Sequence, residues 1–284
     1  MMIVSGLMQY FHNIWTLRKI FSGYYKFTIE DMLMYLQYAE SPGPQKNYPI
    51  VRIINASTAY NCLKIGKYRY CWPKMFDISA LPYMYQEVFE PADDNPHAYE
   101  YENLKLAKGD ICIDAGACEG FFTRYALERG ARVIAIEPVN VLAKALKHTF
   151  SEEIEAGSVS ICNRAIGLYT GQGHLYSDPI QVYESRLDSD GEEIDIIKLD
   201  DLITAKIDFI KMDIEGGEVG ALYGAKNIIQ QYKPKLAIAV YHKYENAQEI
   251  MEFLQEICPS YTILHRGIFA HGGVKPRPMM VYAW

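Results

Sequence analysis

Two short apolar runs, each closing on an acid, constrain this chain more than anything else in it. Ile111-Cys112-Ile113-Asp114-Ala115-Gly116-Ala117-Cys118-Glu119-Gly120 comes first; a helical stretch and then Val133-Ile134-Ala135-Ile136-Glu137 follow. An apolar run without alternation fits a parallel strand covered on both faces, and Gly109-Asp110 supplies the turn that starts the first one. Gly116 and Gly120 lack a Cβ, so the backbone can bend sharply and approach a ligand before residues 121–129 wind into a helix that Gly130 ends. Glu137 falls about twenty residues past the glycine turn, where a carboxylate usually takes a ribose diol. The pattern is half of a nucleotide-binding crossover, and its ligand contains a ribose.

Dinucleotides and S-adenosylmethionine share this layout. A dinucleotide site wants G-x-G-x-x-G, so that a pyrophosphate can rest on a helix amino end. Here only Gly116 and Gly120 are offered, with Asp114 before them and Glu119 within the loop. Two carboxylates repel a pyrophosphate and suit the ammonium and sulfonium of S-adenosylmethionine. A nicotinamide-dependent oxidoreductase stays as the rival enzyme, and a non-catalytic cofactor-binding domain serving a partner as the other alternative. The plain reading is a glycine turn between two core strands.

A formal charge of −7 over 284 residues, with no sustained basic run, argues against nucleic acid or an anionic membrane as the main partner. The six cysteines form no C-x-x-C pair, so reduced thiols in a cytoplasmic protein are expected, without a zinc site. Residues 1–17 are fairly apolar but lack a positive start and place Arg18-Lys19 after the apolar stretch, unlike an export signal. They are too short and too polar for an integral membrane segment. They read as helix packed on the protein or on a second subunit, which makes a homo-oligomer through the N-terminal helices one expectation.

Alternation of strands and helices predicts an α/β protein: a Rossmann-like doubly wound domain over 106–284, preceded by an N-terminal helical/mixed cap subdomain over 1–105. Within the cap, Thr28 with Asp31 three residues on starts a helix whose face carries Met32, Tyr35, Leu36 and Ala39, and Ser41-Pro42-Gly43-Pro44 stops it. Residues 48–70 read as strands or irregular structure with a turn at 55–57. After Glu137, a helix is expected over 139–150, strands at 159–162, 207–212 and 236–241, and closing strands near 261–265 and 279–284. Leu222, Ala225, Ile229 and Tyr232 mark one helical face, and Ile250, Phe253, Leu254 and Ile257 another. Turn signals at Gly171-Gln172-Gly173 and Asp190-Gly191 make 168–206 a hairpin insertion.

From about residue 65 onward the sequence resembles the FkbM-type S-adenosylmethionine-dependent methyltransferases. The likeness rests on Asp114-Ala115-Gly116-Ala117 with Gly120, Ile136-Glu137-Pro138, Asn163-Arg164-Ala165-Ile166-Gly167, and above all residues 208–218, Asp208-Phe209-Ile210-Lys211-Met212-Asp213-Ile214-Glu215-Gly216-Gly217-Glu218. Ala239-Val240-Tyr241-His242-Lys243 and Gln86-Glu87-Val88-Phe89 add to it. The resemblance implies methyl transfer to a hydroxyl of a saccharide or a glycosylated or polyketide-like small molecule. By the same likeness Asp114 and Gly116 lie along the methionine portion, Glu137 holds the ribose, Asn163, Arg164 and Ala165 flank the adenine, and Ala117, Gly120, Pro138 and Asp213 also belong to the cofactor site. Ala117-Cys118-Glu119 departs from the family's usual loop, which leaves the contacts of Cys118 and Glu119 open.

Active groups of a doubly wound sheet gather beyond the carboxyl ends of its strands, which is where Asp114, Glu137, Asp213, Glu215 and His242 fall. Asp213, Glu215 and His242 are the candidates for deprotonating the acceptor. Helix capping is the structural alternative for Glu215 and Glu218, and a hydrogen-bonding role for His242. A divalent metal on the clustered acids is possible, although no metal is assigned. Lys243 either attracts an anionic substrate group or is surface, Glu87 and His265 read as structural or rim residues, and Tyr83, Tyr85, Tyr99 and Tyr101 as either sugar-stacking or core.

Overall fold

Parallel strands buried on both faces organise the chain. In the computed structural model, which describes residues 16, 18–21, 23–40, 48–177, 185–270 and 274–284, they form a seven-stranded sheet of order β13-β14-β12-β11-β4-β5-β6. Its members are β4 (Ile111–Ala115), β5 (Arg132–Ile136), β6 (Val159–Cys162), β11 (Phe209–Met212), β12 (Lys235–Ala239), β13 (Ile263–Phe269) and β14 (Arg277–Ala283). β4, β5, β6, β11 and β12 run parallel, whereas β14 is antiparallel to both of its neighbours. Strand order reverses between β4 and β11, and ligands of open α/β sheets bind at such a switch point.

Register across that switch decides what each face carries. Phe209 pairs with Cys112, Ile210 with Ile113, Lys211 with Asp114 and Met212 with Ala115. Period-two alternation therefore sends Cys112, Asp114, Phe209 and Lys211 to one side and Ile113, Ala115, Ile210 and Met212 to the other. The first side meets α3 (Phe121–Glu128) and α4 (Asn140–Thr149) in one apolar cluster; the second meets α7 (Glu218–Tyr223), α8 (Lys226–Tyr232) and α9 (Asn246–Ile257) in another. Ile250, Phe253, Leu254 and Ile257 of α9 are all buried, as their spacing predicts. α7 and α8 are two helices where one apolar face was legible. A Cβ on Gly224 between them would stand 2.1 Å from the Gly167 carbonyl oxygen, a close approach that only glycine permits.

Residues 52–73 form an antiparallel three-stranded sheet, β1 (Arg52–Ala56), β2 (Tyr60–Ile65) and β3 (Tyr68–Pro73), and α2 (Leu81–Phe89) follows. Leu63, Ile65, Tyr70 and Trp72 of this sheet share a core with Phe121, Leu146 and Phe150. The insertion after β6 comprises β7 (Ala165–Ile166), β8 (Gly171–Tyr176), β9 (Arg186–Asp188) and β10 (Glu192–Ile197) in a separate four-stranded sheet, with a short helix over 199–202 that the turn signals did not announce. No helix among the described residues is long and apolar enough to cross a membrane. Of the stretch 1–17 only Thr16 is described, so the helix and subunit contact expected there lie outside the described residues, as does the 41–44 stop.

α1 (Ile29–Glu40) begins on the expected reciprocal cap. The Asp31 amide donates to Thr28 Oγ1 at 3.0 Å and the Thr28 amide to Asp31 Oδ2 at 2.9 Å. Asp31 Oδ1 meanwhile accepts the Gly267 amide of β13 at 2.8 Å, so the cap also joins the helix to the edge of the large sheet. Thr28→Ala is expected to lower the unfolding free energy by about 1 kcal/mol in a urea titration. A change below about 0.3 kcal/mol would mean that Asp31 holds the helix start alone.

Candidate active site

Beyond the carboxyl ends of β4 and β11 lie two chambers that share a wall. The larger is a cavity of about 700 Å³, and the smaller crevice holds about 60 Å³. Gly116, Cys118, Arg186, Asp213 and Glu215 line both. Gly116 has φ +77°, and a Cβ there would stand 1.9 Å from the Asp213 carbonyl oxygen, so the β4 turn can cross the β11 end this closely only with glycine. Cys118 and Glu215, at φ +42° and +56°, are non-glycine residues in the left-handed region; both sit where the chambers join, as strained residues at functional sites do.

The crevice is built around Glu137. It is 4% exposed, and its two carboxylate oxygens accept the Cys118 amide at 2.9 Å and the Val139 amide at 2.8 Å. Burial pushes its carboxyl up to about 7, against the pull of those amides and the Lys211 charge. Pro138, Arg164 and Ala165 line the same crevice. Asn163 lines neither chamber: its amide donates to the carbonyls of Glu137 and Pro138 and fixes that turn.

Asp114 and Gly120 also line neither chamber. Asp114 is fully buried, 3.0 Å from Lys211 Nζ across the register pair, and accepts the Thr123 hydroxyl at 2.7 Å. Lys211 further donates to the Gly116 carbonyl at 2.6 Å. Burial disfavours its charge, yet Asp114 and Asp213 raise its pKa. Gly120, at φ +86°, starts α3, and a Cβ on it would strike Phe150 and Leu146 at 2.6 and 2.8 Å. Ala117 lines the large cavity, and so does Glu119, whose carboxyl burial pushes up to about 7 and whose Oε2 has no hydrogen-bond partner among the described residues.

Asp213 and Glu215 of the shared wall meet His242, which lines the large cavity. His242 Nε2 lies 3.5 Å from Asp213 Oδ1 and 3.2 Å from Glu215 Oε2, while Nδ1 lies 3.1 Å from Glu218 Oε1. Burial works against charge on His242, but Glu215, Glu218 and Asp213 raise its pKa well above the ordinary value. Burial likewise raises Glu215. Asp213 instead is held below the usual carboxylate range, since His242, His97 and Lys211 outweigh its desolvation. Tyr99 donates to Asp213 Oδ2 at 2.8 Å, so this tyrosine serves the cluster.

Several neighbours of this cluster were not singled out in the sequence. His97 comes from the loop after α2 and faces Asp213 at 3.7 Å, with no periodic pattern to mark it. Lys211 had a signal: a lone cation inside an apolar strand, at the same depth as Asp114. Glu87 and Tyr83 line the large cavity, burial raising the Glu87 pKa, whereas His265 packs against Tyr25 and Phe27. Tyr85 stacks on Phe89 and Tyr101 on Tyr282.

A family model for the methyltransferase FkbM domain matches residues 114–258, just over half of the chain. Among curated proteins none matches the sequence. Among solved structures, the FkbM methyltransferase of Methylobacillus flagellatus KT is similar at 23% identity and a TM-score of 0.51, over 70% of this chain and 48% of that one. The chain thus spans about half the length of that structure. A SAM-dependent O-methyltransferase from Thermotoga maritima aligns at 16% identity and a TM-score of 0.38, over 63% of this chain and 60% of that one. A precorrin-6y C5,15-methyltransferase from Geobacter metallireducens GS-15 aligns at 13% and 0.39, over 64% and 82%. With the two-sided parallel sheet, its switch-point crevice and the match from Asp114 to Cys258, this chain belongs to the FkbM methyltransferase domain family.

Proposed function

We propose that the protein is an S-adenosylmethionine-dependent O-methyltransferase acting on a hydroxyl of a saccharide or of a glycosylated or polyketide-like small molecule. The observation that carries this reading is the pair of chambers joined at Gly116, Cys118, Asp213 and Glu215. Methyl transfer needs two molecules in line, one on each side of the reacting atoms, and positioning supplies much of its acceleration.

The donor groups fit the nucleoside. Each Glu137 oxygen spends one lone pair on a backbone amide and keeps another for a ribose hydroxyl. The unpaired buried Oε2 of Glu119 suits a ligand ammonium. At about 60 Å³ the crevice is below the few hundred Å³ of a usual ligand site, so its lining has to open on binding. Bound S-adenosylmethionine supplies an electrophilic methyl carbon on a sulfonium. One of Asp213 and Glu215 then takes the proton of the acceptor hydroxyl, beside His242, whose charge its carboxylate neighbours favour, while Tyr83, Tyr241 and Phe269 give the acceptor cavity an aromatic lining.

The test is incubation with methyl-labelled S-adenosylmethionine and a pool of saccharides and glycosides. The expected result is release of S-adenosylhomocysteine together with label that survives alkali, as a methyl ether does. Alkali-labile label would replace the hydroxyl by a carboxylate as acceptor. Binding of S-adenosylhomocysteine without turnover on any acceptor would favour a cofactor-binding module, and binding of reduced nicotinamide dinucleotide alone would revive the oxidoreductase.

A further inference from the structure

We propose that Asp213 Oδ1, Glu215 Oε2 and His242 Nε2 form a divalent-cation site in the large cavity, beside its junction with the crevice, where the cation chelates two adjacent oxygens of the acceptor. Cation binding stands on the geometry of the cluster. The identity of what it holds rests on the methyl-transfer reading above.

The three donor atoms lie within 4.8 Å of one another, with His242 Nε2 at 3.2 Å from Glu215 and 3.5 Å from Asp213. Neighbouring ligands of an octahedral cation with bonds of about 2.1 Å are about 3.0 Å apart, so small side-chain movements close one triangular face around an ion. The opposite face then points into the large cavity, free for water or for a vicinal diol.

Two of the three donors, His242 and Asp213, are oriented from behind. Glu218 is fully buried; its Oε1 accepts the backbone amides of Ile214 at 3.2 Å and Gly216 at 3.1 Å, and its Oε2 the side-chain amide Nδ2 of Asn246 at 2.9 Å. Held this way, Oε1 faces His242 Nδ1 and turns Nε2 toward the carboxylates, the carboxylate–imidazole arrangement that supports metal-bound histidines. The Tyr99 hydroxyl occupies Asp213 Oδ2 and leaves Oδ1, buried and without a hydrogen-bond partner, on the site.

An independent group also calls for a ligand. His97 is 3% exposed, lines the same cavity, and has no hydrogen-bond partner on either ring nitrogen among the described residues. Its Nε2 is 3.7 Å from Asp213 Oδ2. A buried imidazole left unpaired is costly, and a cation-bound water or the chelated acceptor supplies the missing partner. One imidazole with two carboxylates suits a first-row cation such as Mn²⁺ better than Ca²⁺.

Full-length protein freed of metal with EDTA, titrated with MnCl₂ and followed by the electron paramagnetic resonance signal of free Mn²⁺, tests the site. One equivalent of signal should disappear in the wild type, and none in Asp213→Asn or His242→Gln. Glu218→Gln, a positioning change, should weaken binding roughly 10–100-fold. Thermal melts of each variant separate a lost site from a lost fold. Absence of Mn²⁺ binding by the wild type, or binding unaltered in folded Asp213→Asn and His242→Gln, overturns the proposal. Calorimetry with S-adenosylhomocysteine on the same wild-type sample keeps the two readings apart. Nucleoside binding without Mn²⁺ removes only the cation site, and Mn²⁺ binding without nucleoside removes only the methyl-transfer reading.

Discussion

Lys211→Met is expected to lower the unfolding free energy by about 3–5 kcal/mol, because it leaves the buried Asp114 carboxyl in the core with its main partner gone. Lys211 and Asp114 are register partners on β11 and β4, with side chains 5% and 0% exposed and 3.0 Å apart. Methionine fills the volume but cannot answer the carboxylate, and the Thr123 hydroxyl is the hydrogen bond that remains. Lys211→Met combined with Asp114→Asn removes the charge from both sides and should recover most of the loss, since an uncharged pair escapes the desolvation penalty. Urea denaturation of both proteins decides the matter. A single variant within about 1 kcal/mol of wild type would mean that water or a side-chain shift relieves Asp114. If Asp114 touched the nucleoside directly, the stability-restored double variant would still lose its affinity for S-adenosylhomocysteine; it is expected to keep most of it.

That pair marks where sequence reasoning stopped. β4, β5, β6, β11 and β12 were legible because strands buried on both faces carry unbroken apolar runs, and the switch point follows from their order. Register was not legible, and register is what sets Asp114 against Lys211, outside the lining of both chambers. Glycine carried two meanings that sequence alone did not separate. Gly116 permits the turn beside the crevice, while Gly120 exists for the packing of Leu146 and Phe150. β11 starts at Phe209, two residues later than the apolar pattern suggested, with the Asp208 carboxylate accepting the Ile111 amide at 3.0 Å. His97 lies in a loop, and its place beside Asp213 comes from tertiary packing, which no periodicity encodes.

Glu137→Ala is expected to cost S-adenosylhomocysteine about 10²- to 10⁴-fold in affinity, since hydrogen bonds to a charged acceptor contribute about 1.5–3 kcal/mol each and the ribose offers two. The sign of the accompanying pH effect follows from burial. With its carboxyl raised to about 7, Glu137 is mostly neutral in the free protein below that pH. The neutral form is favoured by the fold, so the contribution of Glu137 to the free protein's stability is greatest below the ordinary carboxylate range and declines as pH rises through about 7. Ligand affinity moves the opposite way, because the ribose hydroxyls need ionised acceptors: it climbs up to tenfold per pH unit and levels above 7. Glu119, also near 7, adds a second such step if its carboxylate meets the ligand ammonium. Wild-type affinity between pH 5.5 and 8.5 should therefore rise with a limiting slope of up to two, and Glu137→Ala should lose one of the two steps along with its affinity. Calorimetry across that range reads both. An affinity unchanged by the substitution, or a wild-type profile that is flat or falls with rising pH, would remove Glu137 from the nucleoside site.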